Sequence, residues 1–416
     1  MKHRHPKGGG INAAQQALQQ ALQLHRAGDL EAAKPLYESV LRVAPSNPDA
    51  LHFYGLLHYH QGQFGKAEEL IRRALSHAPD YVDALNNLGN ILKEGGRVEE
   101  SEALYRQVVK LQPEHANAYA NLGVILKDQG RTDEAVDAYR SAISLLSKSG
   151  GADPGLINAF YNLGRLLYLA GRHEEGAAMY ERWLAHDPDQ PIARHMLAAC
   201  RGTAPQRASD GYVAKTFDRF AESFDQVLSD LDYQAPRIVT EAMERLFGMP
   251  SAPSLDILDA GCGTGLCGPL LRPYAHRLEG VDISSGMLEK ATKRGAYDEL
   301  VQAEITEFLG QHPEHWNVVF SADTLCYFGD LEPVCGAAMA ALRPGGWLIF
   351  TLERSDRASA PDGYAILPNG RYRHTDQYLL RVLETHGVDQ PRVQQVRLRN
   401  ELDQPVIGWL VCAQKP

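Results

Sequence analysis

The feature that most constrains this chain is a repeat. Pro45, Pro79 and Pro113 stand 34 residues apart, as do Leu88-Gly89 and Leu122-Gly123, with Tyr54-Gly55 one period earlier. Leu163-Gly164 resumes the series after an insertion of about seven residues that contains Gly150, Gly151 and Pro154. Ala33, Ala67, Ser101, Ala135 and Gly176 are each followed, one helical turn on, by Tyr37, Ile71, Tyr105, Tyr139 and Tyr180. A unit this short cannot bury its own apolar face, so it must stack on its neighbours. The small residues let two antiparallel helices approach, and the large residue fills the remaining gap. Gly28-Asp29, Gly62-Gln63, Gly96-Arg97, Gly130-Arg131 and Gly171-Arg172 supply the turns between helices.

This pattern resembles the tetratricopeptide repeat, with L-G on the first helix, A-x-x-x-F on the second and a closing Pro. Five repeats are expected over 14–201, the first with Ala21 in place of the Gly, and a capping helix near Pro191 to Cys200. The resemblance implies an interaction scaffold. It also makes Asn87, Asn121 and Asn162, each just before L-G, candidate protein-binding residues, because in some members an asparagine ladder there holds a peptide backbone. The alternative is that these amides only bridge neighbouring helices. His58 and His60 do not suggest a metal site, since positions i and i+2 on a helix do not face each other.

Composition narrows the classes further. The chain has 416 residues and a formal net charge of −10, which favours solubility and weighs against nucleic acid as a partner. Its 6 cysteines include no C-x-x-C pair, so neither a metal site nor a disulfide framework is expected. Residues 1–13 read as a disordered N-terminus without the apolar core of a secretory signal, and no apolar run approaches the ~20 residues that span a bilayer. A cytoplasmic location without a membrane partner is the expectation.

After a linker over 202–211, strands alternate with helices through 212–416. Strands are expected at Leu255 to Ala260, Arg277 to Ile283, Leu300 to Ile305, Val318 to Ala322, Trp347 to Leu352, Val393 to Arg399 and Pro405 to Ala413. Helices are expected to start at Gly265, Ser285 and near Ala337. Such alternation means an α/β domain with a mostly parallel, seven-stranded sheet and ligands beyond the carboxyl ends of its strands. Tyr364 to Leu367 and Arg371 to His374 flank an Asn369-Gly370 turn and read as an inserted hairpin.

The segment Leu258-Asp259-Ala260-Gly261-Cys262-Gly263-Thr264-Gly265 resembles motif I of the Rossmann-like methyltransferases. Gly263 to Gly268 also fits G-x-G-x-x-G, but the strand already ends at Asp259-Ala260-Gly261, and the turn Leu342-Arg343-Pro344-Gly345-Gly346 favours methyl transfer over a dinucleotide. The stretches Arg207 to Val213, Phe217 to Asp225 and Asn369 to Thr375 extend the resemblance to bacterial methyltransferases fused to tetratricopeptide repeats. The resemblance implies S-adenosylmethionine as cofactor. It places Asp259, Gly261, Cys262, Gly263 and Gly265 at the cofactor loop and gives Asp282 the two ribose hydroxyls. Ile283 and Met287 would flank the adenine, and Glu304 and Ile305, where the usual acid is Asp, would meet its amino group.

Methyl transfer needs chiefly alignment, worth ~7–11 kcal/mol, with ~10²–10⁴-fold from a base when the acceptor carries a proton. Candidate catalytic residues are Asp323 and Tyr327, after the fourth strand, and Tyr372 and His374 in the hairpin. Tyr212 and Phe217 are expected as a lid. Ser321-Ala322-Asp323-Thr324 is not the Pro-Pro-Tyr type of tetrapeptide that serves methylation of nucleic-acid bases. Three functions stay open: methylation of a small molecule on oxygen, methylation of a peptide or protein recruited by the repeats, and a non-catalytic scaffold. The intact motif I and Asp282 argue against the third.

Overall fold

The computed structural model describes residues 8–149, 154–203, 205–401 and 404–416. The chain divides into two compact units, Met1–Gly171 and Arg172–Pro416.

In the first unit, the helix pairs Gly8–Arg26 and Leu30–Val43, Pro48–His60 and Phe64–His77, Val82–Glu94 and Val98–Leu111, and Ala116–Asp128 and Thr132–Ser149 precede Pro154–Leu169. Close approach within a pair explains why the L-G and A-x-x-x-large signatures travel together. A β-carbon on Gly89 would meet the Tyr105 ring at 2.6 Å, one on Gly123 the Tyr139 ring at 2.9 Å, and one on Gly55 the Ile71 side chain at 2.7 Å. Each large residue occupies the space its glycine leaves. A period-spaced ion ladder runs along the surface, Arg97 with Glu68 and Arg131 with Glu102, each adding little by itself. The first helix begins at Gly8, so the expected disordered stretch is helical from that point, and residues 1–7 lie outside the described residues, as do Gly150 and Gly151.

The second unit is built on one sheet: β1 (Leu255–Ala260), β2 (Ala275–Asp282), β3 (Glu299–Gln302), β4 (Trp316–Ser321), β5 (Leu342–Arg354), β6 (Tyr364–Ile366), β7 (Tyr372–His374), β8 (Arg392–Glu401) and β9 (Gln404–Gln414). Strands β3-β2-β1-β4-β5 run parallel in that order, while β9 lies antiparallel to β5 and to β8. The expected seven strands are present, but the sheet has nine. The hairpin joins it because β7 pairs in parallel with the last residues of β5, Glu353 with Arg373 and Arg354 with His374. Both faces are covered, so adjacent strand residues alternate between two cores. Leu258, Val319 and Phe350 point into one; Ile257, Val318 and Ile349 point into the other.

Within the expected linker over 202–211, Gln206 and Ala208 are bonded to the segment after β4. Ala208 N donates to the Tyr327 carbonyl at 2.8 Å, and the amides of Gly329 and Asp330 both donate to the Gln206 carbonyl. Ser209 caps the helix Asp210–Phe220. The helices His173–His186 and Pro191–Arg201, grouped with the repeats by sequence, lie in the second unit. His195 on the latter donates Nε2–H to the Gly370 carbonyl of the hairpin turn at 2.8 Å and stacks on Tyr212 at 3.9 Å.

Candidate active site

The carboxyl ends of β1 and β2 form a cradle. Gly261, Gly263 and Gly265 have φ of 81°, 54° and 80°, a left-handed course that carries the chain from β1 toward the helix Gly268–Leu271. Their roles differ. A β-carbon on Gly261 would strike Thr324, and one on Gly265 would strike Tyr297 and Ala291, so these two are required by packing. At Gly263 alone of the three a β-carbon would fit, its nearest neighbour being the Phe224 ring at 4.0 Å. Asp282 closes the cradle: its Oδ2 accepts from Gly263 N and its Oδ1 from Ser284 N, both at 2.9 Å. A carboxylate offers about four lone-pair sites, and the backbone of Ser284, Gly263 and Ile283 engages up to three, which leaves accepting capacity for a ribose hydroxyl. Burial pushes its pKa above the ordinary value, opposed by those backbone bonds.

The other expected cofactor residues divide. Ile283 is half-buried beside Asp282. Asp259 is buried beneath the loop, where it accepts from the Tyr297 hydroxyl at 2.7 Å and burial raises its pKa to about 7; it supports the loop from below. Cys262 is likewise buried, behind Gly280. Met287 and Ile305 are core residues rather than a surface for adenine. β3 ends at Gln302, so Glu304 does not close the strand. It caps the helix Ile305–Gly310, accepting from Glu307 N and the Thr306 hydroxyl, which commits its carboxylate.

The entry segment lies across this cradle. Asp218 accepts from the Ser284 hydroxyl at 2.6 Å and from Gly286 N, at the N-terminus of Ser285–Arg294. Glu222 pairs with Lys290, and Asp225 accepts from Thr264 and pairs with Arg294. Phe217 makes ring contacts with Phe224 and Tyr327. Tyr212, expected as part of a lid, is an anchor instead, being buried against His195.

The four catalytic candidates also separate. His374 is fully buried; its Nε2 bonds the Gly329 carbonyl at 3.0 Å, so the proton sits on Nε2, and Nδ1 has no partner among the described residues. Burial lowers its pKa to about 4. It therefore has no exposed lone pair for an acceptor, which corrects the expectation of a base. Tyr372 is also fully buried and donates its hydroxyl to the Pro205 carbonyl at 2.8 Å, a structural bond. Asp323 and Tyr327 lie at the carboxyl end of β4, largely but not fully buried. Sequence reasoning missed the partners of Asp323. Arg399 lies 76 residues away on β8 and donates Nη1–H to Asp323 Oδ2 at 2.9 Å; Thr351 on β5 bonds both its amide and its carboxylate.

In the repeats, Asn87 and Asn121 use their amides between repeats. Asn87 Nδ2 lies 2.9 Å from His52 Nε2, and Asn121 Nδ2 donates to Asn86 and Asn90. Asn162 is half-buried. Among the described residues there is no metal-ligand cluster, and no helix is long and apolar enough to cross a membrane.

Residues 258–350 match the family model for a methyltransferase domain. Residues 114–189 match that for a tetratricopeptide repeat, and 14–147 that for a middle TPR-like domain of cilia and flagella-associated protein 70. Methyltransferase-like protein 27 of Homo sapiens is 41% identical over 98 residues, 23% of this chain and 38% of that protein. Malonyl-[acyl-carrier protein] O-methyltransferase of Serratia marcescens is 31% identical over 140 residues, 33% of this chain and 51% of its own length. Ubiquinone biosynthesis O-methyltransferase of Hydrogenovibrio crunogenus is 26% identical over 186 residues, 38% of this chain and 75% of that protein. The chain thus spans about half or less of the first two relatives.

Proposed function

We propose that this chain, a methyltransferase domain carried behind tetratricopeptide repeats, uses S-adenosylmethionine to methylate an oxygen of a small-molecule acceptor. The observation that carries the reading is the cradle of Gly263 and Asp282, where uncrowded backbone lies beside a carboxylate able to accept a further bond. When bound, S-adenosylmethionine supplies an electrophilic methyl on a sulfonium.

The chain's own residues do the rest. Asp282 would hold the ribose, with charge-assisted bonds that fix the donor's orientation. Gly263 would admit the donor close to the main chain. Phe217 and Phe224 would exclude water from the reacting centre, which lengthens the reach of every charge near it. Asp323, partly open to solvent one residue before the Thr324 that packs on Gly261, would take the acceptor's proton. An acceptor that must lose a proton fits an O–H group, and two of the relatives are named O-methyltransferases.

The repeats suit protein contact or tethering, and we assign no acceptor to their groove. A ladder holding a peptide backbone at Asn87, Asn121 and Asn162 needs free amide donors, and the donors of Asn87 and Asn121 face partners within the repeats. The test is incubation of the full chain with S-adenosylmethionine labelled in its methyl group and a cell extract split by ultrafiltration. Label transferred to a compound in the small-molecule fraction is expected. Label transferred to protein alone would overturn the small-molecule reading.

A further inference from the structure

Asp323 is held in a charged network that the glycine loop and Asp282 do not involve. It follows β4 with φ of 52°, a left-handed conformation that residues with a β-carbon rarely adopt. Two bonds fix it there. Its amide donates to the Thr351 hydroxyl at 2.9 Å, and that hydroxyl donates to Oδ1 at 3.3 Å. Arg399 reaches Oδ2 at 2.9 Å, and this guanidinium is itself 2% exposed. Its Nε donates to Glu401 at 2.8 Å and its Nη2 pairs with the equally buried Glu353. Glu353 also meets Arg371 at 3.2 Å. Each of the three nitrogens of Arg399 is engaged by a carboxylate, which holds the guanidinium in place. Asp323, at 15%, is the member of its pair with Arg399 that solvent reaches.

We propose that Arg399 is the positioning residue for Asp323, holding one edge of an ionised carboxylate fixed so that the carboxylate takes the proton from an acceptor hydroxyl. This rests on the methyl-transfer reading above. In that step the hydroxyl proton passes to Asp323 while an oxygen lone pair forms the new bond to the methyl carbon. The methyl carbon–sulfur bond breaks with its electron pair remaining on sulfur, and a neutral thioether is left. Asp323 then returns the proton to water.

The surroundings fit this division of labour. Tyr233, Cys267 and Cys326 also face Asp323, and none carries a positive charge. Thr324, the next residue, bonds the Gly261 carbonyl and so links Asp323 to the cofactor loop. Burial raises the pKa of Asp323, and Arg399 is the largest opposing influence, ahead of Arg371 and the Thr351 hydroxyl, while Glu353 adds to the rise. Without Arg399, burial and Glu353 would be opposed chiefly by the smaller influences of Arg371 and the Thr351 hydroxyl.

The test is a pH titration of the full chain labelled with carboxyl-¹³C aspartate, the Asp323 signal being assigned by its absence in Asp323→Asn. Arg399→Gln is expected to raise the midpoint by at least about one pKa unit, roughly tenfold in acidity, and Arg399→Lys to recover much of the shift. A midpoint that stays put in a folded Arg399→Gln protein overturns the proposal. Should that variant not fold, Thr351→Val, which removes no charge, is expected to move the midpoint upward by a smaller step, and no movement there overturns the proposal equally. Calorimetric binding of S-adenosylmethionine is measured alongside. Its absence in the unaltered chain overturns the functional reading, whereas intact binding with an unmoved midpoint overturns only the role of Arg399.

Discussion

His374 makes the C-terminal unit's stability depend on pH in a way that can be calculated. Its ring is fully buried, with a folded-state pKa of about 4 against 6.5 for the unfolded chain. The native state therefore binds fewer protons than the unfolded state between those values. Its contribution is intact above pH 6.5 and is lost as pH falls toward 4. Between pH 7.5 and pH 5 the loss comes to about 2 kcal/mol. Asp259 works in the opposite sense. With its pKa raised to about 7, its contribution is present at low pH and is lost as pH rises through that value. The two nearly offset each other in the unaltered chain, so the decisive comparison is with His374→Gln, which keeps a donor for the Gly329 carbonyl but cannot titrate. Trp183, Trp316, Trp347 and Trp409 all fall in the C-terminal unit, so their fluorescence follows its urea unfolding selectively. The stability difference between the two proteins should shrink or reverse by about 2 kcal/mol on going from pH 7.5 to pH 5. Parallel pH profiles would refute the reasoning.

Three further outcomes follow. Gly123→Ala, whose β-carbon would meet the Tyr139 ring at 2.9 Å, should destabilise the repeat unit by about 1–3 kcal/mol even against a helix-propensity gain of about 1 kcal/mol. Circular dichroism melting should detect this while the tryptophan transition stays in place. Tyr297→Phe, which leaves the buried Asp259 without its hydroxyl donor, should lower stability by about 1–3 kcal/mol at pH 8 and by less at pH 6, where Asp259 is protonated. A fragment of residues 172–416 should unfold cooperatively, whereas one of residues 202–416, lacking His195 and its bond to Gly370, should unfold at a lower urea concentration.

What the sequence disclosed follows from range. The repeat signatures are local and recur, so the Gly89–Tyr105 and Gly123–Tyr139 contacts were implicit in a fixed spacing. The glycine loop and Asp282 were equally legible, being two adjacent strand ends in a parallel sheet. Three kinds of feature were not. Burial set the roles of His374, Tyr372 and Asp259, and residue type alone does not reveal whether a titratable group reaches water. Glu304 was displaced from strand to helix cap because β3 stops three residues early, and an acid at that point is a good capping residue. The Asp323–Arg399 pair joins residues 76 apart through the antiparallel return of β8 and β9, for which no local spacing rule exists. The tie between His195 and the hairpin is of the same kind, with 175 residues between its ends.

The central claim is that Asp282 and the glycine loop hold S-adenosylmethionine, and calorimetric titration of the full chain tests it most directly. The unaltered chain is expected to bind in the micromolar range. Asp282→Ala removes at least one prospective charge-assisted bond of about 1.5 kcal/mol, so its affinity should fall by about tenfold or more. Absence of binding by the unaltered chain, or equal affinity in the variant, would contradict the account.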